Sequence, residues 1–129
     1  MSQPNTPTDT HARALALNLD ASIFGSFAEI GGGQEVARWF LTVGAASGTV
    51  AQTISAYDKS VSDHTYGPGT RYVSRERVLA MLDREYELLV QRLGPSRGPQ
   101  SRFFAFADTV ATRNYKGDNE QHGWVALRF

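Results

Sequence analysis

The stretch FAEIGGGQEVARWF, Phe27 to Phe40, decides the fold, because an apolar run ends there in three glycines and a helical pattern begins. Residues 23–30 are apolar on both faces and are interrupted by Gly25, which is typical of a buried strand with a bulge or a close backbone approach. Beyond Gln34, apolar residues recur with helical spacing at Val36, Trp39, Phe40 and Val43. The sequence therefore predicts a strand, a sharp turn and a helix.

The segment after this helix is predicted to be a second strand. Small residues and glycines indicate that the helix ends near Gly44 or Gly48. The β-branched residues of TVAQTISAYDKSV, residues 49–61, favour a strand. The alternative is a first helix that continues to about Ala56.

A second helix is the clearest element of the chain. Residues 62–70 predict a loop with its turn at Gly67–Gly69, and Ser74 is a good N-cap for a helix that begins at the next residue. Gly94 and Pro95 predict the end of this helix and the start of a surface connector. The helix has an apolar stripe formed by Val78, Leu82, Tyr86, Leu89 and Leu93.

The two ends of the chain complete the predicted fold. Residues 1–13 are polar and predict a flexible tail, whereas residues 14–24 alternate loosely and could form a strand. Residues 102–115 and 123–129 predict an antiparallel hairpin. We therefore expect residues 14–129 to form one α/β or α+β domain, a mixed sheet with two main helices in the order β-α-β-α-β-β.

Composition excludes several classes of function. Thirteen basic residues balance thirteen acidic ones, which argues against a nucleic-acid or anionic-membrane partner. The absence of cysteine excludes thiol catalysis, disulfides and thiolate zinc sites, and it fits a cytoplasmic protein. No apolar run approaches the roughly 20 residues of a membrane span.

The last strand has an apolar side that reaches the final residue. Val125, Leu127 and Phe129 share one side of it, whereas chain termini are usually polar. Either this end is tucked into the sheet, or the chain is the front of a longer protein and its domain is incomplete. We favour the second interpretation, in which the remainder of the chain or a protein partner covers the sheet edge.

The glycine corner leaves three interpretations open. A strand that feeds a glycine-rich turn into a helix N-terminus can bind phosphate through free backbone N–H groups, here at Gly31, Gly32, Gly33 and Gln34. The letters GGGQE match neither the Walker nor the dinucleotide pattern. The alternatives are a tight turn with a self-satisfied helix start, or a catalytic role for Glu35.

The predicted hairpin loop is the second candidate region. Residues 114–124 include Lys116, which could pair with a phosphate, and His122, a weak candidate for proton transfer. Their spacing matches no strong metal motif, so we predict no metal site and assign no cofactor. His64 follows Asp63 but is expected to be a structural or surface histidine.

Four phrases carry a resemblance to a known family: FGSFAEIGGGQEVARWF, GTVAQTISAYD, RYVSRERVLAMLDREYELL, and FFAFADTVATRNYKG with HGWVALRF. Together they resemble the N-terminal part of a long, uncharacterised bacterial family. Its members often carry the label nicotinate-nucleotide adenylyltransferase or TonB-dependent receptor. The resemblance implies that the protein continues beyond Phe129.

The labels add little support for an activity. The transferase label implies a His-x-Gly-His signature, which His11, His64 and His122 do not form. A receptor would show many amphipathic barrel strands, which the chain does not. The favoured function is an interaction or scaffold portion of a larger cytoplasmic protein, and the alternative is a nucleotide- or phosphate-ligand enzyme domain.

Overall fold

A computed structural model describes residues 9–68, 71–97 and 101–129. Besides a short 3-10 turn at Ala46–Gly48, its helices and strands are, in chain order, α1 Thr10–Asn18, β1 Ile23–Gly31, α2 Val36–Val43, β2 Val50–Ala56, α3 Lys59–Tyr66, α4 Arg75–Arg97, β3 Arg102–Ala111 and β4 His122–Arg128. The strand–glycine–helix junction and the final hairpin are confirmed. The second strand is confirmed over Val50–Ala56 but ends earlier than the predicted residue 61, because α3 begins at Lys59.

The four strands of the described chain form one mixed sheet in the order β2-β1-β3-β4. The central strand β1 runs parallel to β2 and to β3, and β4 is antiparallel to β3. The register between β1 and β2 shifts at Gly25, which confirms the predicted irregularity. A Cβ atom at Gly25 would overlap the ring of Phe104, so this position needs glycine for a close approach.

Helices lie on both faces of the sheet. The long helix α4 packs on one face, where small residues of the strands let it approach; this core contains Ala28, Ile30, Val78, Met81, Leu82, Ala105 and Ala107. On the other face, the Phe27 ring contacts Phe40 of α2. Asn18 joins α1 to α2, because its amide donates to the carbonyl oxygens of Phe40 and Gly44 at 2.9 and 2.8 Å.

The prediction of a strand over residues 14–24 is wrong for most of its length. Residues 10–18 form α1, so the predicted tail also ends earlier than residue 13, and residues 1–8 lie outside the described part. Asp9 caps the helix by accepting a hydrogen bond from the Ala12 N–H at 2.7 Å. Alanine and leucine favour helix, and this preference outweighs a chance alternation.

The predicted loop over residues 62–70 is also partly wrong, because residues 59–66 form α3. Asp58 caps this helix, accepting from the Val61 N–H at 3.1 Å. The buried guanidinium of Arg77 holds α3 against α4, donating to the Ser62 carbonyl at 3.3 Å and to the Asp63 carboxylate at 2.5 Å. The helix ends at Gly67, whose φ is 97°, and Gly69 lies outside the described residues.

The second predicted helix begins where expected and ends later. Ser74 accepts a hydrogen bond from the Arg77 N–H at 3.1 Å, which confirms the N-cap. The helix continues through Pro95 to Arg97, because a proline there disturbs only the last turn. Arg97 lies over the ring of Phe24 at 3.4 Å and fastens that turn to the sheet. Within the described ranges, no helix has the length and apolarity needed to span a bilayer.

Candidate functional site

The glycine corner lies at the carboxyl ends of the central strands. From β1 the chain passes through α2 to β2 on one side, whereas β3 pairs with β1 on the other side. Such a reversal of strand order is where ligands bind in open α/β sheets. Gly31 turns the chain with a φ of 86°, and the Gly32 N–H donates to the Val110 carbonyl at 3.0 Å.

The helix N-terminus at this corner is already occupied by a carboxylate from the protein itself. The side chain of Glu29 accepts hydrogen bonds from the N–H groups of Val36 and Ala37 at 3.0 and 3.3 Å. Glu29 is buried. The first turn of α2 therefore offers an incoming phosphate fewer free donors than the sequence suggests.

Gln34 has a structural role at the same corner. Its amide donates to the carbonyl oxygens of Gly31 and Ala56 at 2.9 and 3.2 Å, so it ties the ends of β1 and β2 together. Glu35 lies outside this arrangement, exposed and 3.4 Å from Arg38. The observed geometry is that of a tight turn with a satisfied helix start, although Glu29 satisfies it rather than Glu35.

A second buried acid, Asp108 of β3, lies beside Glu29 as its register partner. Burial, and then the hydrogen bond and charge of Glu29, raise the pKa of Asp108 to about 8. Asp108 is therefore protonated at neutral pH and donates to Glu29, whereas its Oδ1 atom has no hydrogen-bond partner among the described residues. The pair is enclosed and holds α2 on the sheet.

The hairpin loop begins at the same end of the sheet as the glycine corner. A Cβ atom at Gly32 would overlap Thr112, the first residue after β3, so loop and corner share one end of the sheet. The loop is held by its own amides: Asn114 accepts from the Gly117 N–H at 2.7 Å, and Asn119 donates to the Thr112 carbonyl at 2.9 Å.

Within the described residues, the predicted catalytic and ligand residues make no hydrogen bond or ion pair with one another, apart from two local contacts. The Gln34 amide donates to the Gly31 carbonyl, and the Glu35 N–H donates to the Gly33 carbonyl. In the described parts of the chain, no hydrogen bond joins Lys116 or His122 to the glycine corner or to Glu35. His122 begins β4 opposite Ala111. Near His64, Asp63 pairs with Arg77. The described residues also contain no group of three or more acids and histidines that could hold a metal ion.

An exposed apolar surface lies elsewhere, on the outer side of β3 and β4. Phe104, Phe106, Val125, Leu127 and Phe129, hereafter the bare face, share the side of the sheet that bears Phe27. Val125, Leu127 and Phe129 are 68%, 56% and 87% exposed. A cavity of about 370 Å³ runs from the bare face to α1 and α2, and Leu17, Ile23, Phe27, Val36 and Phe40 are among its other lining residues.

Sequence reasoning did not single out Glu29 or Asp108. Both lie inside apolar runs, in FAEI and FADT. A charged residue within a buried strand needs a hydrogen-bond or charge partner, so the presence of an acid in each apolar run could have indicated a buried polar site. The pairing itself depends on the register of β1 and β3, which the sequence does not reveal.

Comparisons with known proteins support the fold. The chain matches no protein-family model and no curated protein. It is similar to the crystal structure of competence/damage inducible protein CihA from Agrobacterium tumefaciens, with a TM-score of 0.56 and 24% identity over 84% of this chain. It spans 64% of that chain, so about a third of that protein has no counterpart here. The similarity shows an α/β fold, and the family resemblance in the sequence stays a prediction.

Proposed function

We propose that this chain is an interaction module of a larger cytoplasmic protein, and that its bare face binds an amphipathic helix from the remainder of that protein. The observation that carries the proposal is the exposure of three large apolar residues at alternate positions, Val125 and Leu127 of β4 and Phe129 directly after it. Contiguous exposed apolar surface of this kind marks an interaction site.

The dimensions of the uncovered sheet surface over β3 and β4 favour a helix as its binding partner. Helices usually cover both faces of a largely parallel sheet. Here α4 covers one face, whereas α1 and α2 leave β3 and β4 open on the other. Two strands roughly 4.8 Å apart, with their side chains, are about as wide as a helix of roughly 10 Å diameter.

The proposal predicts that the chain of residues 1–129 self-associates through the bare face. In the double variant Leu127→Thr/Phe129→Ser, we expect the dissociation constant of self-association to rise about tenfold or more, because apolar contact area is lost. Sedimentation velocity over a concentration series measures this. The unfolding temperature should change little, since both side chains are exposed.

A matched control replaces exposed apolar residues outside the bare face, as in Leu19→Ser/Tyr115→Ser. This control should associate like the parent chain. A parent chain that stays monomeric over the whole series, or a control that dissociates equally, would contradict the proposed function.

One observation favours the alternative of a phosphate-ligand enzyme domain, namely the position of the glycine corner at the reversal of strand order. Because Glu29 occupies the donors of α2, we expect no thermal stabilisation by NAD, ATP, nicotinate mononucleotide or inorganic phosphate. A ligand at a hundred times its dissociation constant would stabilise the fold by about 2.7 kcal/mol. If one of these ligands raised the unfolding temperature saturably, and by more than sodium chloride of equal ionic strength does, the result would favour the enzyme-domain alternative.

A further inference from the structure

The cavity between the sheet and the helices α1 and α2 is large enough to hold a small molecule. Its volume is about 370 Å³, whereas an apolar cavity of roughly 150 Å³ is enough to bind benzene. Ligand pockets in proteins commonly have volumes of about 300–1,000 Å³ and are lined mainly by apolar and aromatic side chains. Leu17 and Phe40 line this cavity from the helices, and Ile23 and Phe104 line it from the sheet. A body of about two fused aromatic rings therefore fits its volume.

The walls of the cavity are rich in phenylalanine. Phe27 is central, and the ring centroids of Phe40, Phe104 and Phe106 lie within 6.0 Å of its own. The rings of Phe27 and Phe104 meet edge to face, at an interplanar angle of 86°. Aromatic rings in such contacts gain free energy beyond the burial of their area. The walls therefore favour an aromatic occupant over an aliphatic one of the same size.

Arg102 is the one charged residue among the described residues that line the cavity. It is the first residue of β3 and the register partner of Ile23. Because side chains alternate along a strand, the side chain of Arg102 lies on the same side of the sheet as those of Phe104 and Phe106. The guanidinium is therefore placed at one end of the aromatic walls, where an acidic group of an occupant can reach it.

The guanidinium of Arg102 has donors left for a ligand. Its Nη2 atom donates to the Ser22 Oγ at 2.8 Å and lies 3.9 Å from the Asp20 Oδ2. Its Nη1 and Nε atoms make no hydrogen bond within the described part of the chain. The Arg102 side chain is 72% exposed, and exposed ion pairs contribute little free energy, so Asp20 competes only weakly with an incoming carboxylate. Thr49, a polar lining residue, already donates its hydroxyl to the Leu17 carbonyl at 3.2 Å.

We propose that this cavity binds a small aromatic carboxylate, with its rings against Phe27 and Phe104 and its carboxylate on Arg102. Burial of the rings supplies the affinity. The guanidinium selects an acid, because it forms charge-assisted and bidentate hydrogen bonds with a carboxylate. The inference goes beyond the proposed function and does not rest on it, since the ligand is recognised through Arg102, which is not part of the bare face.

The probe for this test is naphthylacetate, and its matched controls are the neutral naphthylacetamide and the cationic naphthylethylamine. Titration calorimetry of the full chain at neutral pH measures the three affinities, and nuclear Overhauser effects locate the rings of the probe. We expect one molecule of naphthylacetate to bind per chain, with Overhauser effects to the methyl groups of Leu17 and Ile23. The dissociation constant of each control should be at least about threefold higher, a modest factor because Arg102 is exposed to solvent.

A variant of Arg102 tests the origin of this selectivity. Arg102→Gln removes the charge of an exposed side chain, so the unfolding temperature should change little. In this variant the acid should lose its advantage over the amide, whereas the amide should bind as it does to the parent chain. Arg128→Gln is the matched control, because Arg128 is turned onto α4, over the Tyr86 ring at 4.3 Å. This control should bind naphthylacetate like the parent chain.

The other outcomes overturn the inference. Equal affinity for the acid and the amide, or a preference for the acid that persists in Arg102→Gln, means that Arg102 does not select the ligand. Overhauser effects to Val125 without any to Leu17 mean that the probe adheres to the bare face and does not enter the cavity. Absence of binding means that the cavity takes no aromatic acid, and binding only when a dimer dissociates means that a second copy fills it. The proposed function is judged separately, by the association of the Leu127→Thr/Phe129→Ser variant.

Discussion

Replacing Phe27 by alanine is expected to lower the free energy of unfolding by about 3–5 kcal/mol. Phe27 is 2% exposed, and its ring lies 5.1, 5.5 and 6.0 Å from the rings of Phe40, Phe104 and Phe106. The substitution removes the contact between β1 and α2 and enlarges the neighbouring cavity, so the transfer and cavity contributions add. Urea unfolding followed by circular dichroism measures the loss.

Two further variants make this result specific. Phe27→Leu keeps an apolar side chain in the same place and should lose less than about 1.5 kcal/mol. Phe129→Ala removes a phenylalanine that is exposed and should leave stability nearly unchanged. If Phe27→Ala lost no more than Phe129→Ala, the aromatic cluster would not be what holds α2 on the sheet.

The sequence predicts the centre of this fold well because local and tertiary signals agree there. Three local features define this region: the apolar run of β1, the glycines after it and the helical spacing from Val36. The packing of the core requires the same strand, turn and helix that these local features favour. The sheet class is a consequence of these features, since helix crossovers impose parallel pairing. By contrast, the residues of α3 are mostly polar and show no helical repeat of apolar positions. This helix is held in place by Arg77, a residue of α4 that is distant in the sequence.

The same distinction between local and tertiary signals applies to the two candidate sites. The bare face was foreseeable because alternation of Val125, Leu127 and Phe129 is a property of one strand. The roles of the corner residues were not, because they depend on which side chain reaches the α2 amides. The structure assigns that position to Glu29, seven residues before Val36 in the chain, and leaves Glu35 exposed.

The buried acid pair gives the protein a pH-dependent stability with a defined sign. The folded-state pKa of Asp108 is raised from an ordinary 3.8 to about 8, so between these values the folded chain holds a proton that the unfolded chain releases. Asp108 therefore contributes stability that is present below about pH 4 and is lost as pH rises through 8, with a steepest slope of about 1.4 kcal/mol per pH unit. In Asp108→Asn an amide can donate to Glu29 at every pH, so the variant should be more stable than the parent at pH 8, by a margin that shrinks towards pH 5.

Urea unfolding of the parent and the variant at a series of pH values between 5 and 8.5 measures this margin. Asp83→Asn is the matched control, because Asp83 is an exposed acid paired with Arg128 on the surface. Its effect should be small and nearly independent of pH in this range, since exposed ion pairs contribute about 0–1 kcal/mol. The opposite result, a constant difference between Asp108→Asn and the parent at all pH values, would mean that Asp108 is ionised in the fold. Asp108 would then not be the hydrogen-bond donor to Glu29 in the folded protein.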